Sequence, residues 1–367
     1  MIEVIEARKS LDDFIRFPFN LYHKDPLFVP QLNREMKVHF SAKNPYFHHA
    51  RAKRLVALKD GRPAGRIISF VDERHNDFHH ERTGFFGFFE CINDAEVSRA
   101  LFESAEKYLK GEGMDTMRGP MNFSTNEECG FLVEGFGEPP MIMMPYNPPY
   151  YNDLSEQYGL KKVKDLFAYI YRVRARLPEK VHRVAVLTEK RGMTVRPINM
   201  KNFSAEMGIF REVYHSAWEK NWGFVPMTDE ELEYASGRLK QIIVPEMTLI
   251  AEKDGEPAGF MGLVPDFNFV LRHMNGKLNP LSLAMALYYS RRIKDLRVML
   301  LGIKKEFRNR GVEALMFREG YKPILKGNYK RVEFSWILED NIPVQRTIEM
   351  IGGELYKKYR IYEKPVS

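Results

Sequence analysis

The chain has 367 residues, 44% of them apolar, and a formal net charge of +7. That length exceeds one ordinary core and suits two domains, each able to bury enough apolar surface to fold, and the composition excludes a disordered chain. The charge favours an anionic partner, whether nucleic acid, an acidic membrane surface or a phosphorylated ligand, without choosing among them.

The start, MIEVIEARKSLDDF, is charged and lacks an apolar signal core, and no later stretch approaches the roughly 18 uncharged apolar residues of a membrane span. A cytoplasmic location is expected. Residues 54 to 72, RLVALKDGRPAGRIISFVD, read as a β-hairpin in which Lys-Asp-Gly supplies the positive φ of the turn. HNDFHHE, from His75 to Glu81, places His75 and His79 four residues apart, but it falls where a loop is expected and has no Cys or spaced carboxylates, so no metal is expected. TGFFGFFEC then reads as a strand, and INDAEVSRALFESAEKYL as a helix capped by Asp94. The two cysteines, Cys91 and Cys129, are too few for a disulfide framework and are expected to be reduced. After the strand DTMRGPM, the stretch MNFSTNEECGF (121 to 131) is rich in side chains that either cap local backbone or line a polar pocket at the domain junction that receives an acceptor amine. NPPYYNDLSEQYG reads as a helix with Asn147 as N-cap, ended by Gly159 and followed by the strand DLFAY. PEKVHRVAVLTEKRG (178 to 192) reads as a connecting helix.

The strand MTVRPI opens a second unit with helices in AEMGIFREVYHSAWEK and DEELEYASGRLKQI. TLIAEKDGEPAGFMGLVPD (248 to 266) then aligns without a gap on residues 54 to 72, with nine identities in nineteen positions at an offset of 194. The same offset pairs Pro149 with Pro343 and Gly159 with Gly353. Between Asp266 and Asp295 lies an insert in which LSLAMALYYSRRI reads as an amphipathic helix, its stripe of Leu281, Ala284, Met285 and Tyr288 ending in Arg291 and Arg292. The strand RVMLLGI leads into IKKEFRNRGVEALMF, a strand-to-helix turn with a glycine and basic side chains, where backbone N–H groups and guanidinium donors suit an anion. Pro323 predicts a kink or an early end of that helix near Arg318 to Tyr321. A strand RVEFSWIL, a helix from Asn341 and a strand KKYRIY complete the unit. The repeat divides the chain into residues 1–177, a connecting helix 178–192, and residues 193–367, each half an α/β unit with a mixed sheet.

The order of elements and the turn RNRGVE resemble the GNAT superfamily of acyl-CoA N-acyltransferases, here as two tandem copies. RVEFSWILEDN, GGELYKKYRIYEK and RGPMNFSTNEECGF also look like a family of bacterial acyltransferases. The resemblance covers nearly the whole chain and implies two tandem GNAT-like domains, each a mixed, mostly antiparallel sheet flanked by helices. The family signature, Arg/Gln-x-x-Gly-x-Gly/Ala, is met at Arg308 and Gly311, with Glu313 where Gly or Ala is usual. It implies that Arg308, Asn309, Arg310, Gly311 and Val312 hold the pyrophosphate of acyl-CoA or acetyl-CoA as co-substrate. By the same resemblance the backbone of Leu301, Gly302 and Ile303 pairs with pantetheine, and Asn341 lies beside it. Domain one has no such turn and reads as a degenerate copy without a CoA site.

Amine acylation needs a base, an oxyanion donor and an acid for the thiolate. The family's Tyr in the helix after Asn341 is absent from NIPVQRTIEMIGG, which leaves Ser335, Tyr356 and Tyr359 as candidate acids. Glu333 and Glu306 are the candidate bases nearest in sequence; Glu333, Ser335 and Tyr356 form the catalytic set. The expected function is an acyl-CoA-dependent N-acyltransferase acting on a small-molecule or lipid-like amine, with domain one shaping the acceptor site and 121 to 131 either capping backbone or receiving the amine. No DNA is expected as partner. The alternative is a catalytically inactive binding protein for phospholipid or RNA, or a transferase that takes its acyl group from aminoacyl-tRNA. The insert helix either packs between the domains, lines a path for a long acyl chain or makes a peripheral membrane contact.

Overall fold

The computed structural model describes residues 1–7 and 11–366, so the charged start is described only in part. In chain order the elements are β1 (Ile2–Glu6), α1 (Leu11–Leu21), α2 (Asn33–His39), β2 (Ala50–Lys59), β3 (Arg62–Asp72), α3 (Glu73–His79), β4 (Thr83–Cys91), α4 (Ala95–Gly111), β5 (Thr116–Gly119), β6 (Phe131–Glu134), α5 (Tyr150–Gln157) and β7 (Lys161–Arg172). They continue with α6 (Glu179–Lys190), β8 (Met193–Pro197), α7 (Phe203–Trp218), α8 (Asp229–Leu239), β9 (Thr248–Lys253), β10 (Glu256–Pro265), α9 (Asn268–Met274), α10 (Pro280–Ser290), β11 (Asp295–Ile303), α11 (Val312–Lys326), β12 (Arg331–Leu338), α12 (Ile342–Ile351) and β13 (Glu354–Pro365).

Two compact units result. The first joins Met1–Phe167 with Asn268–Arg291 and the segment from Lys357 onward; the second joins Ala168–Phe267 with Arg292–Tyr356. This division departs from boundaries at 177 and 192 for reasons the backbone makes plain. Tyr362 to Pro365 of β13 pair antiparallel with β5, and Lys358 to Arg360 pair with β6, so the last strand completes the first unit. The insert joins the same unit: Asn33 donates its N–H to the Gly276 carbonyl (3.3 Å), and Arg272 Nη2 donates to the Pro26 carbonyl (2.8 Å). α6 lies in the second unit, packed on α11.

In the first unit β1, β2, β3 and β4 run antiparallel in that order, and β4 pairs in parallel with β5. One face is covered by α4, whose Val97, Leu101, Phe102, Ala105 and Leu109 recur at helical spacing and pack on Leu55, Ile67, Val71 and Phe86. In the second unit β8, β9, β10 and β11 are antiparallel and β11 pairs in parallel with β12. There α7 lays Met207, Phe210 and Tyr214 against Ile250 and Phe260. The repeated hairpins share one turn: Asp60 and Gly61 have φ of 51° and 76°, and Asp254 and Gly255 have 53° and 82°. Two successive positive φ angles match the right-handed twist of the strands and explain Asp-Gly in both copies.

Several local expectations are corrected. His75 to His79 of HNDFHHE belong to helix α3, because the Asp72 side chain accepts from the His75 N–H and starts a turn. Asn147 is not an N-cap: its side chain is drawn to the backbone of Leu132 at 2.7 Å, and Pro149 takes the cap position of α5. α11 runs through Pro323 to Lys326, and Tyr321 and Ile324 continue its buried face on either side of the proline. Of the stripe on α10, Leu281, Ala284 and Tyr288 are exposed and Met285 is half-buried, and residues 281 to 288 line neither of two cavities in the first unit. No helix among the described residues is long and apolar enough to cross a membrane.

Asp94 does cap α4, accepting from the N–H groups of Glu96 (3.0 Å) and Val97 (3.2 Å). The Lys59 ammonium, and then those N–H groups, hold its carboxyl below the ordinary carboxylate range. A depressed pKa contributes stability above the unfolded value and loses it as pH falls through the folded one. Asp94→Ala is therefore expected to lower unfolding stability by about 1 kcal/mol at neutral pH. Urea denaturation should show that difference shrinking toward zero below about pH 4.

Candidate functional site

The parallel ladder between β11 and β12 is short, running from Asp295 opposite Arg331 to Val298 opposite Phe334. Beyond it the strands part, and β11 continues to Ile303 paired only with β10 on its other edge. Leu300, Leu301, Gly302 and Ile303 thus carry a backbone edge with no ladder partner on the β12 side. Gly302 has no side chain because Trp218 lies over it; an added Cβ would come within 2.2 Å of that indole.

At the fork of the two strands four side chains meet. The register sets Arg297 opposite Glu333, and the period of two puts Ser335 on the same face as Glu333. Arg297 Nε donates to Ser335 Oγ (2.9 Å) and lies 3.8 Å from Glu333 Oε1. Ser335 Oγ donates to Glu333 Oε1 at 2.6 Å, and the Tyr356 hydroxyl donates to Glu333 Oε2. Glu333 is 0% exposed, so the carboxylate trades water for two hydroxyl donors and a guanidinium. Trp336 follows, its ring 5.3 Å from the Arg297 guanidinium and its Nε1–H buried without a partner. A buried donor left unpaired costs about 1–3 kcal/mol, which an acceptor on a ligand would recover.

The structure therefore brings together Glu333, Ser335 and Tyr356. Tyr359 belongs to the first unit, and Glu306 sits exposed near Lys304 at 3.8 Å. Arg297 and Trp336 are site residues that sequence reading missed. The signal available was a lone Arg in the apolar strand DLRVMLLGI, which requires a buried partner.

The turn from Lys304 to Gly311 is tightly held. Arg308 Nε donates to the Ile303 carbonyl (3.2 Å) and Nη2 to the Ala217 carbonyl (2.9 Å), tying the end of β11 to the end of α7. Arg310 is exposed and lies over the Phe307 ring at 5.8 Å. Asn309 and Gly311 are left-handed, at φ 59° and 81°, and Gly311 is the N-cap of α11 with no side chain accepting from the helix. A Cβ there would also meet Thr188 Oγ1 at 2.5 Å and Val184 at 2.6 Å. Thr188 Oγ1 donates to the Arg310 carbonyl (3.1 Å), so α6 buttresses the turn from behind. Glu313 stands in the first turn of α11, where it adds negative charge. Asn341 occupies the N-cap position of α12, also without a side-chain cap bond.

In the first unit the polar side chains of MNFSTNEECGF bond to backbone. Asn122 Oδ1 accepts from the Phe88 N–H (2.8 Å), and Ser124 Oγ accepts from the Asn126 N–H (3.2 Å). Asn122 and Glu128 also line a cavity of about 110 Å³ with Arg66, Glu90 and several Phe rings. Burial raises the Glu90 carboxyl above its ordinary range, opposed by Arg66 and by the Tyr22 and Tyr151 hydroxyls at 2.5 and 2.8 Å. Outside the cavity, His75 Nε2 is 2.6 Å from Glu81 Oε1.

No family model matches the chain. Protein YghO of Escherichia coli (strain K12) is 37% identical over all of this chain and 95% of its own length. A bacterial ceramide synthase of Caulobacter vibrioides (strain NA1000 / CB15N) is 34% identical over 98% of this chain and 96% of its own length. Among solved structures, a tandem GNAT protein from the clavulanic acid biosynthesis pathway superposes with a TM-score of 0.58 at 12% identity, covering 100% of this chain and 99% of that one. A probable N-acyltransferase from Enterococcus faecalis V583 gives 0.52 at 10% identity, covering 100% and 73%.

The two arginines of the turn differ in role. Arg308→Ala strips charged donors from two carbonyls and is expected to lower stability by about 1–3 kcal/mol. Arg310→Ala is expected to stay within about 0.5 kcal/mol of the parent. Equilibrium denaturation of both variants checks this.

Proposed function

The chain belongs to the GNAT superfamily of acyltransferases, alongside the YghO and ceramide synthase proteins that it matches end to end, and from that premise we propose that it is an acyl-CoA-dependent N-acyltransferase with its donor site in the second unit. The contrast between two helix N-termini carries the reading. α4 is capped by its own Asp94, whereas α11 begins at Gly311 with no side-chain cap and an Arg beside it. Free N–H groups at a glycine-started helix are what a diphosphate requires. Val312 and its neighbours, with Arg310, would hold that group, and the free edge of β11 at Leu301 to Ile303 would accept the amides of a pantetheine arm.

The donor supplies a thioester carbon, at which the amine nitrogen forms the new bond as the carbon–sulfur bond breaks. One proton leaves the ammonium so that nitrogen can attack, a second leaves nitrogen as the amide forms, and the thiolate takes one up. Tyr356 is assigned to protonate sulfur, its hydroxyl fixed by Glu333. Trp336 Nε1–H is the donor assigned to the thioester oxygen. A ceramide is an N-acylated long-chain amino alcohol, so the Caulobacter relative's name supports a fatty acyl donor and a long-chain amine acceptor. Glu313 favours a second reading, a binding protein that has lost catalysis, because its carboxylate opposes a phosphate at the same N–H groups.

Purified protein given a long-chain acyl-CoA and a long-chain amino alcohol is expected to form the amide, detected by mass spectrometry. Tyr356→Phe should lower kcat by about tenfold or more at unchanged CoA affinity. Arg310→Ala should weaken CoA binding in calorimetry by about tenfold, the loss of one charge-assisted bond of about 1.5 kcal/mol. Glu313→Ala should tighten it. CoA binding without product would select the second reading, and no CoA binding at all would overturn the donor site.

A further inference from the structure

The insert helix α10 stands out among the surfaces of the first unit. Between Pro280 and Ser290 it contains no charged residue, yet Leu281 is 71% exposed, Leu287 69%, Tyr288 53% and Leu283 50%. Large exposed apolar side chains scattered singly need no explanation, but five within eleven positions, counting Leu278 just before the helix, form a patch that does.

The helix is built to hold this face outward. Its start is fixed by a reciprocal cap between Asn279 and Ser282, with Pro280 at the first turn. Its inner side is held on α9, where Tyr289 stacks on His273 with ring centres 3.6 Å apart and meets Phe269 edge-on at 5.9 Å. With that half committed, the 3.6-residue period collects Leu281, Ala284, Leu287 and Tyr288 on the opposite half, and Arg291 ends the same face. Lys277 precedes the helix, and Arg291 and Arg292 follow it, all exposed.

We propose that the outer face of α10 is a docking surface for an anionic lipid bilayer, on which the helix lies in the plane of the interface. The leucines would enter the headgroup–acyl boundary while Lys277, Arg291 and Arg292 meet lipid phosphates at either end. Charge favours this occupant over a second copy of the chain. A twofold contact along α10 would set the basic end of one helix against the basic start of the other, like charge on like, whereas acidic headgroups complement both ends. The inference rests on the exposed face alone and holds whatever the protein acylates.

Sedimentation of the full chain with vesicles tests it. Binding is expected to vesicles of phosphatidylethanolamine and phosphatidylglycerol, to be weak on pure phosphatidylcholine, and to fall as salt rises. Leu281→Glu with Leu287→Glu should reduce partitioning by about a hundredfold or more. Because both positions are solvent-facing, their melting temperature should match the parent's. Arg291→Ser with Arg292→Ser should reduce partitioning by about tenfold and flatten its salt dependence. Failure of the parent to bind anionic vesicles overturns the proposal, as does binding that survives the glutamates. A concentration-dependent dimer in sedimentation velocity that the glutamates abolish, without vesicle binding, would assign the face to a second copy.

Discussion

A helix that follows a strand leaves its first backbone N–H groups without an internal partner, and the two copies in this chain meet that need in opposite ways. In the first, Asp94 accepts from two of them and takes the Lys59 ammonium as well. In the second, Gly311 adopts φ 81° and offers no side chain, and α6 closes the space behind it. A carboxylate built into the chain and a phosphate brought from outside compete for the same donors. One copy meets the need within its own chain, and the other leaves those donors to solvent or to a ligand. The shared strand–turn–helix geometry makes the contrast chemical rather than architectural.

Behind that turn, the fork between β11 and β12 is held by charge. Placing Arg297 and Glu333 in the interior costs several kcal/mol per ion, offset by their mutual approach and by the hydroxyls of Ser335 and Tyr356. Removing any one member leaves another buried and short of partners, so the cluster behaves as a unit. Its consequence for chemistry is orientation: the Tyr356 hydroxyl donates to a carboxylate oxygen of Glu333. Well-packed apolar residues often stabilise an interior as well as a buried ion pair does, so the stability of the fork alone does not require the polar set.

What the sequence made legible follows from the range of the interactions. The Asp-Gly turns, the Asp94 cap and the glycine-started helix depend on residues within a few positions of one another, and all three stand as read. Arg297 lies 38 residues from Ser335, and only the parallel register brings them together. The unit boundaries failed for the same reason: β13 pairs with β5 and β6, more than two hundred residues earlier, and no local signal carries that information. Arg308 was legible as a motif but not as a strut, because its acceptor on Ala217 comes from another helix. Pro323 shows the converse, a strong local rule outweighed by burial of Tyr321 and Ile324 on either side.

Periodicity on α10 told which residues share a face and nothing about what covers it. The structure divides the helix, giving one half to α9 and leaving the other to solvent. That division bears on how such a protein would meet its substrates. Each methylene of an acyl chain prefers an apolar phase by about 0.8 kcal/mol, so a chain of about sixteen carbons is held there by more than 10 kcal/mol. An enzyme in bulk water would meet such a molecule at vanishing concentration, whereas one resting on the bilayer shares its surface. No described helix is long and apolar enough to span a membrane, and an exposed helix face offers one route to that position. An uncharged helix face bounded by Lys277, Arg291 and Arg292 supplies the apolar contact and the electrostatic one together.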